Sequence, residues 1–251
     1  MNLGQKFRQL LTADSRTKKL RRGVFDTMLL RCLTMALGLA VNSYLAKLIT
    51  PADFGQVRYV LSLVAFLIMV TTLGWPQSGQ RFLSAYLAKE RWDFFRGYLH
   101  RSRQHVIWAS LAVAAGLLLA SFWPSMSHGT SVTLRFVAGL LPMAALLLMR
   151  RAILIALNRV RFSMVFDELL LGILVILSLI WFHPKTGFTV LWIYLLSNFV
   201  VLLLSSWAMY QSLPLATRVG ERSYLDTEWR KAAGTLVLGQ VFMSVTNRVD
   251  V

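Results

Sequence analysis

Six long apolar runs, separated by short basic connections, constrain this chain more than any other feature. Each run approaches the ~20 apolar residues that a helix needs to cross the hydrocarbon core of a bilayer. Hydrophobic residues make up 56% of the chain and charged residues only 15%, which leaves too little polar surface for a soluble domain of this size. The chain is therefore predicted to be all-α, a polytopic bundle of membrane helices. The spans are predicted at 27–48, 57–79, 105–123, 132–149, 165–182 and 189–210, with a seventh beginning near residue 232.

The Lys and Arg residues alternate between consecutive connections. From the N-terminus onward the connections hold 7, 2, 6, 0, 4, 1 and 4 of these residues. Short cytoplasmic connections of membrane proteins carry the excess of positive charge, so the alternation predicts a cytoplasmic N-terminus. The same segregation accounts for the net charge of +16, and we expect no nucleic acid as a partner.

These runs predict four parts along the chain. They are a basic cytoplasmic tail (1–26), a six-helix transmembrane lobe (27–210), a cytoplasmic connection (211–231) and the start of a seventh helix (232–251).

The sequence contains no pattern typical of an enzyme. It has no Gly-rich phosphate loop, and its single cysteine, Cys32, leaves no Cys/His spacing for a metal. The only adjacent acids, Asp167 and Glu168, are expected to form a local ion pair with Arg159 or Arg161. We therefore predict no catalytic residue, no metal and no cofactor. The outward connections are also too short for the catalytic domain of a membrane glycosyltransferase or polymerase.

Local signals suggest how some helices begin and bend. Thr50 and Pro51 are placed as the cap and first residue of the second span. Pro76 is predicted to kink that span, because proline removes a backbone hydrogen bond. Basic and aromatic residues alternate over 81–104, which predicts a helix lying at the cytoplasmic interface with Arg and Lys toward anionic lipid head groups.

Arginines at the edges of the spans, or within them, are the candidate binding residues, because charges at membrane depth are costly and often functional. The candidates are Arg31, Arg58, Arg81 and Arg248. Arg31 lies about one turn inside Asp26, so the alternatives are a local pair with that acid or a side chain that reaches the head groups. Arg58 could pair in the same way with an acid one turn earlier, Asp53, and Arg248 could mark an outer interface.

The first hairpin, the end of the second span and the end of the chain resemble one known family. The segment Ser43–Val57 reads SYLAKLITPADFGQV, Leu73–Phe82 reads LGWPQSGQRF, and Ser244–Asp250 reads SVTNRVD. Together they are similar to the polysaccharide biosynthesis protein family of the multidrug/oligosaccharidyl-lipid/polysaccharide exporter superfamily. The resemblance covers the chain in span order and is specific in the first hairpin.

This resemblance implies a flippase of the bacterial inner membrane. Its cargo would be an undecaprenyl-diphosphate-linked glycan for O-antigen, capsule or exopolysaccharide, carried between two six-helix lobes. Arg31, Arg58, Arg81 and Arg248 would then contact the diphosphate, since the guanidinium fork pairs well with phosphate oxygens. Because one lobe is present, either the chain is truncated or a second half-length chain completes it.

Two alternatives to a flippase remain open from the sequence. A multidrug exporter of the same superfamily would need acids inside its cavity, yet the acids of the full spans lie only near their ends. The other alternative is a truncated remnant that transports nothing.

Overall fold

The computed structural model describes the backbone of residues 3–217 and 220–236, and the side chains from Phe25 onward apart from Leu215. All regular structure in these residues is helical, which confirms the predicted class. The helices are α1 (Leu3–Leu48), α2 (Pro51–Thr72), α3 (Trp75–Ala88), α4 (Trp92–Ser121), α5 (His128–Ala156), α6 (Val160–Met164), α7 (Leu170–Phe182), α8 (Gly187–Ser212) and α9 (226–236). One π-helical segment, Val165–Leu169, joins α6 to α7 without a break.

Six of these helical stretches are long and apolar enough to cross a membrane, as predicted. They are Phe25–Leu48, Pro51–Thr72, Trp92–Ser121, His128–Ala156, Val160–Phe182 and Gly187–Ser212. The predicted tail continues on α1, which begins at Leu3. Most of the predicted seventh span, 232–251, lies outside the described residues.

Contacts between distant connections divide the bundle into two ends. At one end Asp26 Oδ2 lies 2.7 Å from Arg161 Nη2, and Arg159 donates to Ser212 Oγ at 3.4 Å. At the other end Gln56 donates to Thr133 Oγ1 at 3.3 Å. The connections with many basic residues therefore meet at one end, here called the basic end, and those with few meet at the opposite end. The grouping agrees with the alternation in the sequence, while the cytoplasmic location of the basic end stays a prediction.

Helix α5 is the central element, because it supplies buried residues to both apolar cores. One core, which includes Leu45, Val60, Leu140 and Leu191, joins α1, α2, α5 and α8. The other core surrounds Trp75 and Tyr98 at the basic end. Proline lies within α5 at Pro142.

The predicted kink at Pro76 is wrong, because the second span ends before it. Helix α2 stops at Thr72, and Leu73 and Gly74 adopt positive φ angles of 45° and 72°. Two consecutive left-handed residues cannot continue an α-helix, and glycine accepts this conformation at little cost. Pro76 then lies in the first turn of α3, where its missing N–H is no loss. At the start of α2 the predicted cap is confirmed, since Thr50 Oγ1 accepts from the amide of Asp53 at 3.2 Å.

The single interfacial helix predicted over 81–104 is also wrong. Helix α3 ends at Ala88, the chain turns at Glu90 with φ 53°, and residues 92–104 form the beginning of the membrane-spanning α4. The aromatic residues of this stretch serve packing instead, because Phe95 and Tyr98 are fully buried. The alternation of basic and aromatic groups therefore reflects two faces of α4, one packed and one open.

The segment after α8 is docked on the basic end. Ser223 donates its amide to the Asp93 carbonyl at 3.2 Å, and Arg101 Nη2 lies 2.6 Å from Asp226 Oδ2. Trp229 is fully buried and donates from Nε1 to the Tyr86 hydroxyl at 2.9 Å. Burial raises the pKa of Tyr86, so its hydroxyl stays protonated at neutral pH.

The π-helical segment turns two consecutive acids toward different helices. Asp167 accepts from Ser163 Oγ at 3.2 Å and from Ser205 Oγ of α8 at 3.3 Å. Glu168 Oε1 lies 2.5 Å from Arg151 Nη1 of α5. The prediction that these acids pair with Arg159 or Arg161 is wrong, because packing against α5 offers a nearer arginine and Arg161 pairs with Asp26.

Candidate functional site

An open cleft of about 660 Å³ lies at the basic end between α4, α5 and α8, beside the segment that follows α8. Its apolar wall includes Leu99, Leu146, Met149, Ile153, Leu203, Met209 and Leu213. Trp207 and Tyr210, from the last turns of α8, line it as well and are exposed. We call this feature the basic cleft, for the charges described next.

Among the residues that the structure describes, five basic side chains line the basic cleft and no acidic side chain does. They are Arg96, His100, Arg103, Arg150 and Arg222. Because 96, 100 and 103 are separated by four and three residues, they lie on one face of α4. Arg150 comes from α5 and Arg222 from the segment after α8.

Two of the arginines are held in place by backbone carbonyls. Arg96 donates from Nη1 to the Ala216 carbonyl at 2.6 Å and from Nε to the Glu221 carbonyl at 2.9 Å. Arg150 donates from Nη1 to the Leu202 carbonyl of α8. The two bonds from Arg96 hold the segment after α8 beside the cleft, and the bond from Arg150 joins α5 to α8.

The other two arginines are exposed and, within the described part of the chain, form no ion pair. Arg103 lies close enough to Arg150 for their positive charges to repel each other. Arg103 and Arg222 are also close enough to His100 to repel a positive charge on its ring. Asp167 lies close enough to attract Arg150, but its side chain does not line the cleft. The cleft is therefore a concentrated positive site with an apolar wall.

The structure does not bring the predicted arginines together. Arg31 is exposed on α1, and Arg81 is exposed on α3 at the basic end. Arg58 is exposed near the opposite end, with its guanidinium 5.6 Å from the centre of the Phe54 ring. Arg248 lies outside the described residues.

The local ion pairs considered for two of these arginines are absent from the described residues. Asp26 pairs with Arg161, so it does not neutralise Arg31. Asp53 accepts from the Thr50 hydroxyl at 2.9 Å instead of pairing with Arg58. Packing of α1 against α6 and the helix cap explain these two outcomes.

The sequence does contain a signal for the basic cleft. The four-and-three spacing from Arg96 to Arg103 predicts one helix face once α4 is known to begin at Trp92. The contributions of Arg150 and Arg222 depend on how α5 and the segment after α8 pack. No three metal-binding side chains cluster in the part of the chain that the structure describes, and nothing else there suggests a cofactor.

Comparison with protein families decides the identity of the bundle. The family model described as polysaccharide biosynthesis protein matches residues 20–251. The chain belongs to this family. No curated protein and no solved structure matches the chain. Members of the polysaccharide biosynthesis protein family are generally transporters, and the bundle of six membrane helices is in keeping with that role.

Proposed function

We propose that the chain is one lobe of a flippase that moves an undecaprenyl-diphosphate-linked oligosaccharide across the bacterial inner membrane. The product would serve O-antigen, capsule or exopolysaccharide synthesis. The observation that carries the proposal is the family match over residues 20–251 on a bundle of six membrane helices. The second lobe is supplied by further protein or by a second half-length chain.

The edge of the lobe at α1 supports this proposal. Large apolar side chains of α1 are widely exposed, among them Met28 at 65% and Leu39 at 68%. Among the described side chains of α1, those buried against the bundle form a narrow stripe that includes Val41 and Leu45. Arg31 shares the exposed surface, so in an assembled transporter it can face a cavity between two lobes.

Arg31 has the chemistry that the cargo requires. A diphosphate cannot cross ~30 Å of hydrocarbon without a polar path. A guanidinium keeps its charge in any protein environment and can bind two phosphate oxygens at once. With Asp26 engaged by Arg161, the positive charge of Arg31 is available to a ligand. Arg58, Arg81 and Arg248 are the further proposed contacts.

Replacement of Arg31 tests the proposal. Surface glycan is measured in cells that lack the native transporter and express this chain at matched membrane levels. A lost charged hydrogen bond contributes ~1.5–3 kcal/mol, so Arg31→Ala should weaken cargo binding about ten- to 150-fold. Arg31→Lys should be partly defective, because an ammonium lacks the planar fork.

Lys47→Ala is the matched control, since it removes one exposed cation from the same helix near the opposite end. Export should continue in this variant. Full export by Arg31→Ala would remove Arg31 from the cargo path, and failure of the unaltered chain to restore any glycan would argue against transport by this chain alone.

A further inference from the structure

The basic cleft is separate from the surface proposed for cargo. It is formed by α4, α5, α8 and the segment after α8, whereas Arg31 is on α1, which packs beside α6 and α7. The following inference therefore does not depend on flipping activity.

We propose that the basic cleft binds the phosphate of an anionic membrane lipid, with the head group among Arg103, Arg150 and Arg222. This site would hold a lipid of the leaflet at the basic end. Three observations lead to this ligand: the charge of the cleft, its apolar wall and its place along the helices.

The charge selects an anion with several oxygens. Four guanidinium groups and one imidazole line the cleft, without any carboxylate among the lining residues. The unesterified oxygens of a lipid phosphate accept from such donors, and arginine can bind two of them at once. Arg150 is already oriented by its bond to the Leu202 carbonyl, so its remaining donors are fixed in direction.

The apolar wall selects a lipid over a soluble anion. Leu146 of α5 and Leu203 of α8 line the same cleft as the arginines, and Leu203 is 55% exposed. Both lie within membrane-spanning helices, so this part of the wall faces the acyl region of a bilayer. An acyl or isoprenyl chain can lie against these side chains while its phosphate meets the guanidinium groups.

The aromatic side chains place the cleft at the depth of lipid head groups. Trp207 and Tyr210 occupy the last turns of α8, with side chains 60% and 57% exposed. Trp and Tyr prefer the boundary between hydrocarbon and head groups. The arginines around them are thus at the level where lipid phosphates lie.

The test measures lipids retained by the purified chain, using native mass spectrometry in detergent. The probes are phosphatidylglycerol, undecaprenyl phosphate, inorganic phosphate and diacylglycerol, a neutral lipid that lacks a phosphate. The cleft variant is R103Q/R222Q, which leaves the contact of Arg150 with the Leu202 carbonyl in place. A basic side chain near a lipid surface contributes about a fivefold factor in binding, so both losses together should weaken retention of the anionic lipids by ~30-fold.

The control variant is K89Q/K231Q. It removes two exposed positive charges from the same end of the bundle but outside the cleft. We expect retention within about twofold of the unaltered chain, and weak binding of diacylglycerol throughout. Which anionic lipid is retained more strongly identifies the source of the phosphate, and preference for either one supports the site.

Three results would overturn the proposal. Equal loss in the cleft and control variants would mean attraction by overall charge, and equal retention of diacylglycerol would mean an apolar site. Displacement of the lipids by millimolar inorganic phosphate would mean a site for a soluble anion. Thermal unfolding of each variant, measured in parallel, separates loss of binding from loss of fold.

Discussion

Gly97 offers a sharp test of how the segment after α8 is docked. A Cβ atom at this position would lie 1.9 Å from the Ser223 carbonyl oxygen, whereas ordinary contacts begin at 3.4 Å. The carbonyl would therefore have to retreat by about 1.5 Å. Such a shift strains the hydrogen bond from the Ser223 amide to the Asp93 carbonyl and the bond from Arg96 to the Glu221 carbonyl.

The free energy of Gly97→Ala combines two opposing effects. Alanine in place of glycine in a helix interior contributes ~1 kcal/mol of stabilisation. Overpacking against backbone costs ~1–3 kcal/mol, and each bond lost to a charged donor costs about 1.5 kcal/mol or more. We expect a net destabilisation of the docked segment by ~1–3 kcal/mol, which corresponds to an increase in local opening of about five- to 150-fold.

Gly116→Ala is the matched control on the same helix. Its Cβ would meet nothing within 4 Å, so only the stabilising effect on the helix remains. Hydrogen exchange measured on peptides that cover 220–236 should accelerate in Gly97→Ala and stay unchanged in Gly116→Ala. Equal exchange in both variants would refute the close docking of Ser223 on α4.

Two further predictions concern topology and the acids of the π-helical segment. In a Cys32→Ala background, Glu90→Cys at the basic end should be shielded from an impermeant thiol reagent added outside cells, while Lys185→Cys should react; the reverse would overturn the predicted orientation. Glu168→Gln should lower stability by ~1 kcal/mol, measured as thermal unfolding in detergent, because it removes the charge that faces Arg151. The double variant with Arg151→Gln should lose less than the sum of the single losses, and simple additivity would show that the pair is not coupled.

Periodic composition was enough to predict the six spans, because the lipid phase demands about 20 apolar residues from every helix that crosses it. The two ends of the bundle follow from the distribution of Lys and Arg, because short cytoplasmic connections of membrane proteins carry the excess of positive charge. The sequence does not predict the break at Leu73 and Gly74, because Pro76 alone is enough to distort a continuous span. A leucine whose backbone adopts the left-handed conformation is rare, and the packing of α3 in the bundle stabilises it here.

The sequence predicts only part of the basic cleft. Arg96 and Arg103 form a stripe on α4 that spacing alone could have revealed. Arg150 joins them only because α5 packs between α4 and α8, and Arg222 only because the segment after α8 folds back. Arg31, by contrast, is a candidate because of its position within an apolar run, and in the structure it lies on the exposed surface of α1.

The docking of Trp229 has a mechanical consequence. A buried indole, the Arg101–Asp226 ion pair and the contact of Ser223 with α4 attach the start of α9 to the lobe at three separate points. A slack linker would let the chain beyond the lobe diffuse independently of it. With these attachments, a tilt of α4 would instead move the start of α9 with it. The stretch from Ser223 to Trp229 is thus held against the lobe along its length, and its position follows that of α4.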